Sequence, residues 1–282
     1  MVGESGCGKS MTALAIMGLV PKPHLIGGTL RFAGKDLPAL SEDARRRLRG
    51  AEMGMIFQEP MTALNPVVPV GVQIGEMLIV HEAATEAEAA RAAVGLLERV
   101  GIADPARRAS AYPHELSGGM RQRVMIAMAI ACKPKLLIAD EPTTALDVSV
   151  QAQILDLLLE LQQQTGMAMI FISHNLGVVS AVADDIMVMY AGRAVETGPA
   201  QDVLTRPAHP YTAGLIATLP DIGHRQKILP VIEGSPVNPR HRPTGCAFAP
   251  RCPKVIGDCR TALPPMISVT PTHQAACIRV AA

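Results

Sequence analysis

Residues 3–10 read GESGCGKS and fit the phosphate-binding pattern G-x-x-x-x-G-K-[ST] in full. A loop of this kind hangs between a buried strand and a helix, so it commits the chain to an α/β fold around a parallel sheet. The glycines Gly3, Gly6 and Gly8 let the backbone curl. The N–H groups of the loop, with Glu4, Ser5 and Cys7 between the glycines, can then face phosphate oxygens, and the following helix adds its positive end. Lys9 can neutralise charge on the β- and γ-phosphates, and the Ser10 hydroxyl can ligate Mg²⁺. The bland alternative is a Gly-rich turn with an accidental lysine.

The rest of the chain keeps the α/β rhythm. Short apolar runs at 53–57, 135–139, 167–172 and 186–190 read as buried strands, and helical segments separate them. Thr85 with Glu88 predicts a capping box for a helix over 86–100 closed by Gly101. Ser41, Ser117 and Ser149 read as caps of three further helices, the last over 150–165. Arg45, Arg46 and Arg47 read as a solvated face. Beyond about residue 205 the periodicity fades, except for a short helix near 211–218. Prolines crowd in at 207, 210, 220, 230, 236, 239, 243 and 250, so residues 200–282 read as an irregular extension.

Composition narrows the function classes. A net charge of +1 gives no field to hold nucleic acid, and 2% aromatics without Trp leaves no base-stacking surface. Apolar residues reach 49%, enough for a sizeable core, yet no apolar run approaches the ~18 residues that cross a bilayer. Membrane work would therefore need spans from other chains. No secretory pattern opens the sequence, so a cytoplasmic, thiol-reducing setting is expected. Cys7 and Cys132 stand alone, whereas Cys246, Cys252, Cys259 and Cys277 cluster near the end, where metal ligation is a better reading than disulfides.

Further motifs follow the phosphate loop. In KLLIADE, residues 135–141, Asp140 and Glu141 end an apolar strand at the sheet edge where α/β folds bind ligands. Asp140 can hold Mg²⁺ through water and Glu141 can polarise an attacking water; two helix-capping carboxylates are the simpler reading of the dipeptide alone. LSGGMRQR, residues 116–123, places Ser117, Gly118 and Gly119 at a helix N-terminus, a second anion site. Gln58 in MIFQEP, Asp147 in TTALD and His174 in FISH complete a set in fixed order.

This set resembles that of the ABC ATPases over residues 2–200. The resemblance implies two such domains meeting head to tail, with each ATP between the phosphate loop of one and the signature of the other. Lys9 and Glu141 would then act on one nucleotide and Ser117 on the partner's. It implies that His174 holds the γ-phosphate and attacking water, that Gln58 senses Mg²⁺ and γ-phosphate, and that Asp147 organises the dimer interface. It also divides the chain into a nucleotide-binding core (1–65 and 134–200), a helical signature subdomain (66–133) and an importer-type extension (201–282). AHPYTAGLIATL, residues 208–219, resembles the segment closing the ATPase of oligopeptide, dipeptide and nickel importers.

Membership of that branch implies ATP and Mg²⁺ as ligands and a peripheral place on the cytoplasmic face of the bacterial plasma membrane. The implied partners are a paralogous ATPase, two transmembrane permease subunits and an extracytoplasmic solute-binding protein. No nucleic acid is expected. Some members carry a [4Fe–4S] cluster in a similar tail, which ranks that cluster above zinc for the four cysteines, with a plain reduced tail as the metal-free alternative.

Only Met1 and Val2 precede the loop, whereas the family has several tens of residues there, including strands and an adenine-stacking aromatic. A chain without them is expected to be unstable or weakly active. Two other functions stay open: a soluble non-transport ABC ATPase, and an inactive truncated remnant.

Overall fold

A computed structural model describes residues 1–21, 27–144, 146–219, 230–238 and 241–280. Pro220 and Pro239 lie outside them. The described residues form two compact units, residues 11–171 and residues 1–10 with 172–282.

Helix α1 spans Lys9–Met17, so most of it belongs to the first of these units. The hairpin β1 (Arg31–Phe32) and β2 (Lys35–Asp36) follows, then α2 (Glu42–Leu48), with Ser41 Oγ accepting from Ala44 N as N-cap. Strand β3 (Met53–Ile56) is buried throughout and pairs in parallel with β4 (Leu136–Asp140), which is buried throughout as well. With β5 (Ala168–Ile172) they make a sheet in the order β3-β4-β5. Continuous apolar runs suit strands covered on both faces.

Between β3 and β4 lie α3 (Pro60–Ala63), α4 (Val70–Glu82), α5 (Glu86–Arg99), α6 (Pro105–Ala109) and α7 (Gly118–Ile130). The Thr85–Glu88 capping box forms, and Ala89, Ala93 and Leu97 repeat at helical spacing along the buried face of α5. Helix α7 runs across β3 at very close range. A Cβ at Gly54 would stand 2.3 Å from Ala129 O, so only glycine fits there. Helix α8 (Val148–Thr165) buries Ile154, Leu157, Leu158 and Leu161, a single stripe at i, i+3, i+4 and i+7. Fully burying each such side chain favours the fold by roughly 1.5–3 kcal/mol.

The cap of α8 differs from the sequence reading. Asp147, not Ser149, is the N-cap: its Oδ1 accepts from Val150 N at 2.9 Å, and Ser149 Oγ donates to the same oxygen at 2.6 Å. The helix thus starts two residues earlier, because a carboxylate takes the orphan N–H and leaves the serine a supporting role.

In the other unit, Val2 is fully buried and forms parallel bridges with Ser173 and with Val188. Helix α9 (Leu176–Val182) precedes β6 (Asp185–Tyr190) and β7 (Arg193–Pro199). These strands are joined by a two-residue turn in which Ala191 and Gly192 both have positive φ, 48° and 77°. Such a turn matches the right-handed twist of a hairpin. Helices α10 (Ala200–Thr205) and α11 (Pro210–Ala217) follow. The Pro-rich tail then adds β8 (Ile267–Thr270) and β9 (His273–Ala275), giving an antiparallel sheet in the order β6-β7-β9-β8.

Glu196, fully buried on β7, holds this part together. Its carboxylate accepts from Ala208 N (2.7 Å), His209 N (2.9 Å) and His273 Nε2 (2.7 Å), so one charge ties β7 to the start of α11 and to β9. Tyr190, Tyr211 and Phe248 pack against one another in tilted and edge-to-face pairs, with centroid distances of 4.6–5.3 Å.

Candidate nucleotide site

The phosphate loop lies in the unit of residues 1–10 and 172–282. Gly3 passes so close to β6 that a Cβ there would meet Met189 O at 2.2 Å. Gly8 has φ +101°, a conformation reserved for glycine. The turn at Gly192 braces the loop, its N–H bonding Cys7 O at 2.7 Å. Lys9 is 4% exposed, and its Nζ donates to Gly3 O (2.8 Å), Glu4 O (3.1 Å) and the Cys7 sulfur (3.8 Å). The ammonium therefore sits inside the loop. Burial raises the Cys7 thiol, against the pull of Lys9, and keeps it neutral. Ser5 and Gly6 are exposed, and Ser10 stands at the start of α1.

Sequence reasoning missed how Glu4 is held. Its N–H donates to the Tyr211 hydroxyl at 2.9 Å, and its carboxylate takes a two-pronged ion pair from Arg251 (2.7 and 3.0 Å). His174 is exposed and follows Ser173, whose N–H bonds Met1 O at 3.1 Å.

The second group lies in the unit of residues 11–171. Asp140 closes β4 and is 4% exposed; Glu141 follows at 9%. Glu141 has φ +48°, unusual for a residue with a side chain. Two side chains fix it there: Thr144 Oγ1 donates to Oε2 at 2.9 Å and Gln58 Nε2 to the same oxygen at 3.3 Å. Thr144 also escaped sequence reading, although its spacing of three from Glu141 is that of a local side-chain turn.

A cleft of about 460 Å³ in this unit is lined by Gln58, Glu59, Met61, Gly118, Arg121 and Thr144. Ser117 Oγ caps α7 by accepting from Met120 N at 3.3 Å, which leaves Ser117 and Gly118 exposed at the helix start and Gly119 half-buried. Asp147 is exposed. Its carboxyl is held below the usual range by the Ser149 hydroxyl and the Val150 N–H.

The comparisons with known proteins agree on one group. Residues 1–144 match the ABC transporter family, and residues 195–259 match the oligopeptide/dipeptide transporter C-terminal region. The chain belongs to the ABC transporter family. A Brucella melitensis protein is 53% identical over 99% of this chain and 86% of its own length. The dipeptide transport ATP-binding protein DppD of Escherichia coli is 51% identical over 98% of this chain and 85% of its own. Among solved structures, a dimeric ATP-binding cassette in a post-hydrolysis state bound to ADP and Pi superposes with a TM-score of 0.63 at 27% identity. That match covers 71% of this ABC chain and 83% of the other.

The tail cysteines converge. Cys246, Cys252, Cys259 and Cys277 line one small cavity, which His209 and Lys254 border too. Backbone N–H groups of Phe248 and Ala249 face the Cys246 sulfur and that of Lys254 faces Cys252, while burial raises both thiols. Among the described residues no group of three or more His, Cys, Asp or Glu closes on a single metal ion.

Proposed function

We propose that this chain is the ATP-binding, ATP-hydrolysing subunit that energises an ABC importer of peptides or a related small solute. The hold on Glu141 carries the hydrolytic reading. A carboxylate fixed by Thr144 and Gln58 in an uncommon backbone conformation has the preorganisation a water-polarising base needs.

In this reading Lys9 and the loop of Gly3, Glu4, Ser5, Gly6, Cys7, Gly8 and Ser10 bind the phosphates. Ser10, Gln58 and, through water, Asp140 would hold Mg²⁺, and His174 would position the γ-phosphate. The buried carboxylate of Asp140 and the hydroxyl of Ser10 are hard oxygen donors, which suits that ion. Mg²⁺, when bound, would supply neutralisation of phosphate charge. Ser117, Gly118 and Gly119 offer the N–H groups of a helix start to the partner's nucleotide, and Asp147 organises the dimer interface. Residues 1–65 and 134–200 serve as the nucleotide-binding core, 66–133 as the signature subdomain and 201–282 as the importer-type extension.

The named function of the DppD relative supports peptide import. No described helix is long and apolar enough to cross a membrane. Two permease subunits would therefore supply the spans, with the chain on the cytoplasmic face of the bacterial plasma membrane. A paralogous ATPase would complete a heterodimer and an extracytoplasmic protein would deliver solute. Cys246, Cys252, Cys259 and Cys277 line one cavity, and this reading assigns them a [4Fe–4S] cluster ahead of zinc on the resemblance of the tail. Such a cluster, when bound, would staple a segment with little regular structure of its own.

Thermal unfolding with and without Mg-ATP tests nucleotide binding. Saturation at about 100 times Kd stabilises the fold by roughly 2.7 kcal/mol. Lys9→Ala should lose that gain, and a rise independent of Lys9 would contradict the reading.

A further inference from the structure

Arg251 is a cation that the proposed mechanism does not use. Its side chain is 4% exposed, and all five of its N–H donors have partners. Two go to the Glu4 carboxylate, at 2.7 and 3.0 Å. Two go to the carbonyls of Glu233 (2.9 Å) and Ile232 (3.1 Å), and one to the Tyr190 hydroxyl (3.4 Å). The guanidinium also lies 5.9 Å from the Tyr190 and Phe248 ring centroids.

Glu4 is consequently fixed at three points: its N–H by Tyr211, its carbonyl by Lys9 and its carboxylate by Arg251. The last has an electrostatic meaning. Glu4 sits in a loop built to receive a polyanion, and an uncompensated carboxylate there would repel it. A fork-shaped, largely buried guanidinium both cancels that charge and fixes the orientation of the carboxylate through two hydrogen bonds.

We propose that Arg251 is a positioning residue for nucleotide binding: through Glu4 it neutralises and orients the phosphate loop, and so makes ATP affinity depend on the tail that carries it. The inference rests on the nucleotide-binding reading above. Arg251 directly precedes Cys252, and Phe248 packs on Tyr190 and Tyr211, so the fold of the cysteine-bearing segment sets where the guanidinium stands. The tail thereby gains a role at the phosphate loop 247 residues away in sequence.

A double-mutant cycle tests this. Mg-ATP affinity is measured by calorimetry for the 282-residue chain, Arg251→Met, Glu4→Gln and the double variant, with Lys9→Ala as control. Arg251→Met should weaken binding roughly tenfold to hundredfold and raise KM, with kcat at saturating ATP within about twofold of the parent. The same change made in the Glu4→Gln background should cost only a few-fold, because its target charge is gone. If Arg251→Met does not fold, Arg251→Gln, which also removes the charge, takes its place in the cycle. Wild-type affinity in the Arg251 variant, or an equal loss in both backgrounds, would overturn the positioning role and leave Arg251 a brace of the tail. A parent chain that shows no Lys9-dependent Mg-ATP binding would instead overturn the nucleotide reading itself.

Discussion

Gln58 Nε2 lies 3.3 Å from Glu141 Oε2, linking a residue two places beyond β3 to the residue directly after β4, its parallel neighbour. Thr144 Oγ1 donates to the same carboxylate oxygen at 2.9 Å. Thr144→Val removes that donor while keeping the shape. We expect kcat for Mg-ATP hydrolysis to fall about tenfold, the scale of one hydrogen bond to a charged group, with Mg-ATP affinity unchanged. Steady-state kinetics beside calorimetry reads this, and an unchanged kcat would remove Thr144 from the site.

Gly54 is the contact point of β3 and α7. A methyl group there would stand 2.3 Å from Ala129 O, which is backbone and cannot turn aside. Gly54→Ala should destabilise the chain by about 1–3 kcal/mol, the usual cost of forcing volume into a packed core. Urea denaturation measures it, and a wild-type midpoint would contradict the packing described.

His209 gives the fold a pH dependence. It is 1% exposed, and burial pushes its imidazole pKa down to about 4. Its Nδ1 accepts from Tyr211 N at 3.1 Å, which requires the neutral ring. Below about pH 6.5 the unfolded chain takes up a proton that the folded chain refuses, so stability falls as pH drops toward 4, by roughly 3 kcal/mol in all. His209→Asn keeps an acceptor at that position and should flatten the melting temperature between these limits. An unchanged pH profile in the variant would place the effect elsewhere.

The thiol cavity makes an analytical prediction. Protein purified without oxygen should contain iron, and Cys259→Ser should lose it together with thermal stability. Zinc in place of iron would favour the smaller ligand, and neither metal would leave a plain reduced tail.

Much of this was legible in the chain, for identifiable reasons. GESGCGKS is readable because a backbone that curls around phosphate needs glycine at fixed intervals, and Gly3 and Gly8 meet that need here by close approach and by positive φ. The Thr85–Glu88 box is readable because both of its bonds are local. The α8 cap was misplaced by two residues because Asp147 and Ser149 both have capping chemistry and only geometry ranks them. Strands β8 and β9 were hidden because each is short and their place in the sheet depends on β7, far back in the chain. The Arg251–Glu4 pair leaves no periodic trace at a separation of 247 residues.

The central claim is that Glu141 drives hydrolysis of bound ATP. The most direct test is phosphate release from Mg-ATP by the wild type and by Glu141→Gln, with nucleotide affinity measured on the same samples. The account predicts unchanged binding with turnover reduced about 10²–10³-fold, the usual loss for one group acting mainly in the transition state. Full turnover in Glu141→Gln would contradict it.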